Sequence, residues 1–94
     1  MFIVDLTYEE PMEKVEALLD MHIAWLQKHY AEGDFVASGR KEPRTGGIIL
    51  TKSLPRTALD EILAQDPFNA VANYTITEFI PSMTSDTFSI LKSI

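Results

Sequence analysis

Cysteine is absent from the 94-residue sequence. That removes a disulfide framework, a thiol nucleophile and any zinc site of the Cys type, and it permits a cytoplasmic location. Long apolar runs are missing as well. Nothing approaches the length of a membrane span, and Met1 to Leu6, a strand-like stretch interrupted by Asp5, lacks the basic region and apolar length of a signal peptide. Positive charge is scarce: eight Lys and Arg stand against 14 Asp and Glu, for a formal net charge of −6. This argues against nucleic acid or an anionic membrane as partner, because phosphate binding relies on a collected positive field. No repeat or low-complexity segment appears, so residues 1–94 read as a single soluble, cytoplasmic domain.

The residues that are present support a folded globule, with 46% hydrophobic and 23% charged side chains. A domain this small has little apolar area to spare, which favours extra burial by self-association. The strongest pattern runs from Pro11 to Tyr30. At about 100° per residue, Met12, Val15, Leu18, Leu19, His22, Trp25, Leu26, His29 and Tyr30 share one helix face, while Glu13, Glu16, Asp20, Gln27 and Lys28 share the other. Pro11 suits the first turn, and Gly33 is a fitting stop.

Before this helix, Phe2 to Thr7 alternates as a strand, with Phe2, Val4 and Leu6 on one side and Ile3, Asp5 and Thr7 on the other. After it, Asp34 to Gly39 and Ile48 to Thr51 read as two strands joined by a loop in which Gly46 and Gly47 are free to take positive φ. Pro55 opens a second, short helix that runs to Gln65. Asp66-Pro67-Phe68-Asn69-Ala70 breaks its pattern, and Val71 to Ile80 alternates as a last strand.

The resulting βαββαβ order predicts an α+β, ferredoxin-like fold, with a four-stranded antiparallel sheet and both helices on one face. Several strands carry apolar residues on both sides, so a second copy is expected to cover the bare face in a C2 homodimer. Phe88, Ile90, Leu91 and Ile94 make the 82–94 tail too apolar to be left in water, and packing on the dimer is the expected use.

His22 lies near the centre of an oily face, and a buried imidazole needs a partner. Asp5, Asp34 and Asp66 are all candidates by spacing. Asp66-Pro67 is also what an N-cap followed by its first helical residue looks like. His29 lies about 10.5 Å further along the helix, at 1.5 Å per residue, and cannot share a mononuclear metal with His22. No His-x-x-x-His or clustered carboxylate pattern supplies another metal site, so His29 is read as structural. Ser38 sits in no Gly-x-Ser-x-Gly elbow and is expected to give a hydrogen bond to a ligand or to the backbone, with Gly39 leaving room beside it. Arg40, Lys41 and Arg44 are three of the eight basic residues. Arg40 and Arg44 are suited to clamping a carboxylate or phenolate. Trp25, Phe35, Phe68 and Tyr74 read as core or as walls of an aromatic cleft.

These features together resemble the YciI-like (YCII-related) family. The resemblance rests on the first strand, His22 inside helix one, Ser38-Gly39 ending strand two, Pro43-Arg44-Thr45-Gly46-Gly47 before strand three, and Asp66-Pro67-Phe68 after helix two. It implies a dimeric α/β barrel of ferredoxin-like subunits and an active-site His-Asp pair in a cleft, which by position would be His22 and Asp66. Many relatives have proline where this chain has Arg40, implying a more cationic rim here. Fold relatives include isomerases, lyases and oxygenases that work on small molecules without a metal or organic cofactor. Two functions follow as expectations. One is a cofactor-independent proton-transfer enzyme acting on a small anionic or aromatic molecule, with His22 and Asp66 as the catalytic pair and Ser38, Gly39, Arg40 and Arg44 binding substrate. The other is a small-anion binding or regulatory module without catalysis.

Overall fold

The computed structural model describes residues 1–94. Its elements are β1 (Phe2–Tyr8), α1 (Met12–Ala31), β2 (Phe35–Arg40), β3 (Gly46–Thr51), α2 (Arg56–Ala64), a 3-10 turn (Pro67–Ala70), β4 (Ala72–Glu78) and a C-terminal 3-10 segment (Asp86–Lys92). The expected βαββαβ order is present, with element ends displaced by one or two residues. One sheet runs β2-β3-β1-β4, antiparallel at every pairing.

The alternation of β1 decides the layering. Phe2, Val4 and Leu6 are buried, and with Ile49 they face a layer formed by Val15 and Trp25 of α1 and Leu59 and Leu63 of α2. Burial of such side chains contributes about 1.5–3 kcal/mol each, which is why a period-two pattern in a strand fixes the side it turns inward. Ile3, Ile48 and Leu50 are half-buried on the opposite face, where the register places them beside one another. Asp5 and Thr7 share that face and are bridged by the Lys41 ammonium, at 2.8 and 2.9 Å.

Helix α1 buries Val15, His22, Trp25 and His29, as its periodicity requires. Tyr30 departs from expectation. It lies at the margin of the apolar arc and is exposed, with its hydroxyl 2.6 Å from that of Ser38. The helix ends in a turn in which the Asp34 N–H donates to His29 O at 2.9 Å and the Gly33 N–H to Tyr30 O at 3.1 Å. This arrangement needs a left-handed residue, and Gly33 supplies it at φ 81°.

A one-residue bulge at Val36 interrupts the pairing of β2 with β3. Phe35 lies opposite buried Thr51, and after the bulge Ser38 lies opposite Ile49 and Arg40 opposite Gly47. The bulge thereby turns Ser38 and Arg40 to the helix side. Gly46 starts β3 against the main chain of β1, where a Cβ would collide with the Leu6 carbonyl. The C-terminal segment folds back so that the Ser53 N–H donates to Ile94 O at 3.1 Å. Met83, Phe88 and Ile90 remain exposed along it.

Candidate functional site

A cleft of about 400 Å3 opens between α1 and the β2–β3 side of the sheet. His22 and Phe68 line it, together with Ser38, Gly39, Arg40 and Arg44, and much of the remaining wall is aliphatic. No carboxylate lines the cleft, so an acidic protein presents two guanidinium groups along a largely apolar recess. Arg44 reaches the Glu16 carboxylate only at 3.9 Å, and Arg40 has no salt-bridge partner. Both arginines are exposed, and Arg40, without a carboxylate partner, is available to an anionic ligand.

His22 is held on three sides. Its ring stacks on Phe68 at a centroid distance of 3.8 Å and an interplanar angle of 4°. Trp25 lies 5.5 Å away on the same helix, and its own indole N–H donates to Ile62 O at 3.0 Å. The third constraint is polar, with His22 Nδ1 2.7 Å from Oδ1 of Asp66. Of the three carboxylates that spacing left open, the fold selects Asp66. Asp34 is drawn to His29 and Asp5 to Lys41.

Asp66 is positioned by local structure. As the N-cap of the 3-10 turn it accepts the Phe68 N–H on Oδ1 at 2.9 Å, with Pro67 in the first helical position. The Asn69 amide ties this turn to the end of α2 by donating to Leu63 O and Asp66 O at 2.7 and 2.8 Å. On the other carboxylate oxygen, Oδ2, Asp66 accepts the Tyr74 hydroxyl at 2.5 Å. The Asp66 side chain has no exposed surface and the His22 side chain retains 11%. Donors converging on both oxygens make the carboxylate an acceptor throughout, which places the His22 proton on Nδ1. The other ring nitrogen, Nε2, is left with its lone pair for the cleft.

In the sequence Tyr74 was legible only as core or as a wall of an aromatic cleft. Burial, joined by the hydrogen bond to Asp66 and its negative charge, pushes its hydroxyl well above the ordinary value of 10.0. It therefore remains a donor at any working pH.

Ser38 is bonded to the Tyr30 hydroxyl at the cleft margin. Gly39 has nothing within 4 Å of where a Cβ would stand, so space rather than a close approach is what it provides.

A second polar cluster forms at the end of α1. His29 Nδ1 lies 2.9 Å from Asp34 Oδ2 and 3.6 Å from Glu32 Oε2, and Lys52 Nζ lies 3.5 Å from Asp34 Oδ1. The hydrogen bond from His29, aided by Lys52, holds Asp34 below its ordinary 3.8 against the opposing effect of its burial. Sequence spacing gave no clustered carboxylates near His29; the Gly33 turn creates the cluster by folding Asp34 back over the helix end. Potential ligand atoms of His29, Glu32 and Asp34 lie within 4.8 Å of one another. Lys52 already supplies a positive charge there, and His29 is buried away from the cleft, with its Nε2 left without a hydrogen-bond partner.

The domain model of the YCII-related family matches residues 1–80. The chain belongs to the YCII-related family. No curated protein matches it. In this YCII-related domain the matched residues include His22, Ser38, Gly39, Arg40, Arg44, Asp66 and Tyr74, while the tail from 81 to 94 lies outside the match.

Proposed function

We propose that this YCII-related domain is a cofactor-independent small-molecule enzyme of isomerase or lyase type, in which His22 and Asp66 carry out proton transfer. The observation that carries this reading is the 2.7 Å bond between His22 Nδ1 and Asp66, with the same imidazole on the wall of a cleft of about 400 Å3. In the proposed step, Nε2 accepts a proton from an activated C–H of the substrate and the new imidazolium is stabilised by Asp66. Returning that proton to a different atom gives isomerisation. Departure of a leaving group with its bonding pair gives elimination. A positioned imidazole contributes roughly 10²–10⁴-fold to such steps.

Arg40 and Arg44 would hold the anionic end of the substrate, a carboxylate or phenolate. Ser38, with its hydroxyl partnered by Tyr30, would give or accept one further hydrogen bond, and Gly39 would leave room for the bound molecule. A panel of small carboxylates and phenolates screened by thermal shift identifies ligands, because specific binding raises stability by mass action. Turnover of a hit should inflect between pH 5 and 8 and disappear in His22→Gln with the fold retained. Full affinity in His22→Gln, with no chemistry in the parent protein, would instead establish a small-anion binding module.

The assembly belongs to the same proposal. Ile3, Ile48 and Leu50 form an apolar strip on the sheet face away from the helices, and pairing two such faces in a C2 homodimer would bury it. The 82–94 tail, with Met83 90% exposed, would find cover against the same dimer. A monomer by sedimentation at micromolar concentration refutes this part. A cytoplasmic location is in keeping with the absence of cysteine and of any helix long and apolar enough to cross a membrane.

A further inference from the structure

The hydrogen-bonded chain does not stop at the His-Asp pair. Asp66 has two oxygens: Oδ1 serves His22 and the Phe68 N–H, and Oδ2 serves only the Tyr74 hydroxyl. Tyr74 is carried by β4 opposite Leu6 of β1, so its ring enters the core layer from the sheet while Asp66 arrives from the turn after α2. Three separate elements thus deliver the three members of one chain. Tyr74 also borders a shallow groove on the α2–β4 side, away from the cleft.

We propose that Tyr74 is a positioning residue of the site, which by donating to Oδ2 holds the Asp66 carboxylate with Oδ1 on His22 and sets how strongly that carboxylate stabilises the imidazolium. This rests on reading His22 as the proton-transfer group. A hydroxyl donor withdraws charge from a carboxylate, so the oxygen facing His22 is a weaker counter-ion with Tyr74 present than without it. The same donor fixes the rotation of the carboxylate, which keeps the imidazole proton on Nδ1 and Nε2 open to the cleft.

The other groups around the chain are few. Tyr8 packs edge-on against Phe68 at 5.9 Å from β1, Arg40 and Arg44 face His22 across the cleft, and Asp60 borders the Tyr74 groove from α2. None of them makes a hydrogen bond to His22, Asp66 or Tyr74. Tyr74 is accordingly the one side chain through which the state of the pair is adjusted from outside the cleft.

The test is an NMR titration of His22, assigned with His22→Gln, in the full chain without any ligand. Tyr74→Phe deletes only the hydroxyl, and the pH midpoint of His22 should rise by about 0.5–1 unit, a three- to tenfold change in protonation constant. The shift should vanish when Tyr74→Phe is made in an Asp66→Asn background, since the effect passes through that carboxylate. Replacing Tyr74 by 3-fluorotyrosine, a stronger donor of nearly the same shape, should move the midpoint in the opposite direction and does not depend on tolerance of a lost hydrogen bond. A midpoint unmoved by both changes overturns the proposal, as does an equal shift in the Asp66→Asn background. Failure of the enzyme reading would appear separately, as absence of turnover with the His22 titration still responsive to Tyr74.

Discussion

Asp66 is the residue on which the site and the local fold depend together, and its two shortest replacements should behave differently. In Asp66→Ala, three donors lose their acceptor: the Phe68 N–H, the Tyr74 hydroxyl and His22 Nδ1–H. Each buried donor left unpaired costs about 1–3 kcal/mol, and the lost N-cap is counted within the first of them. Because the three bonds share one carboxylate, they do not simply add, and about 3–5 kcal/mol is the expected total. A domain of this size has roughly 5–15 kcal/mol to lose, so the variant should sit near the edge of folding, with Tm lowered by on the order of 20 °C. Asp66→Asn keeps the shape. Its amide oxygen can still accept from Phe68 and His22, and its NH2 can donate to the Tyr74 oxygen, so the loss should be only about 1 kcal/mol. Urea denaturation at pH 7 and fixed protein concentration measures both. Equal losses in the two variants, or a loss below about 1 kcal/mol in Asp66→Ala, would refute the account of Asp66 as a buried three-way acceptor.

Three further outcomes follow from other parts of the molecule. Leu59→Ala empties a fully buried position beneath α2 and should cost about 2–5 kcal/mol in the same denaturation assay. Gly46→Ala should cost stability comparable to a large core change, because its Cβ meets the Leu6 main chain rather than a movable side chain; a loss within about 0.5 kcal/mol, the range of an ordinary surface change, would contradict that close approach. The pH dependence of stability has two separable limbs. Asp34, held below its ordinary 3.8, contributes stability that is present above that pH and is lost as pH falls through its folded value, so Asp34→Asn should flatten the acid limb. Tyr74, pushed above 10.0, contributes stability that is present below pH 10 and is lost as pH rises beyond it, so Tyr74→Phe should flatten the alkaline limb. Thermal unfolding followed from pH 2 to 11 reads both, and parallel curves for parent and variants would remove the argument.

Much of the architecture was legible because it rests on periodicity. A strand that alternates Phe2, Val4 and Leu6 with Ile3, Asp5 and Thr7 has only one way to face a core, and a 20-residue amphipathic helix has only one face to bury. Helix punctuation was local too. Gly33 could be read as a stop because only glycine takes φ 81° without strain, and Asp66-Pro67 as an N-cap because a carboxylate beside an N1 proline satisfies free N–H groups.

Partnership was not local. His22 lay within reach of three aspartates by spacing, and no periodic rule separates them. The choice was made where the turn after α2 crosses α1, while the Gly33 turn removed Asp34 by folding it onto His29. The facing of Ser38 and Arg40 depended on one extra residue at Val36, since a bulge reverses the alternation of every side chain after it. Tyr74 could be read as core or as a cleft wall, but the side chain it would meet was fixed only by the packing of β4 against the turn. The sequence by itself thus determined the fold class, the inward faces, the helix ends and the presence of one imidazole in an apolar helix face, because each depends on residues within a turn or two of one another. The tertiary structure alone decided which carboxylate that imidazole meets and what stands behind the carboxylate, because those contacts join elements up to 44 positions apart in the chain.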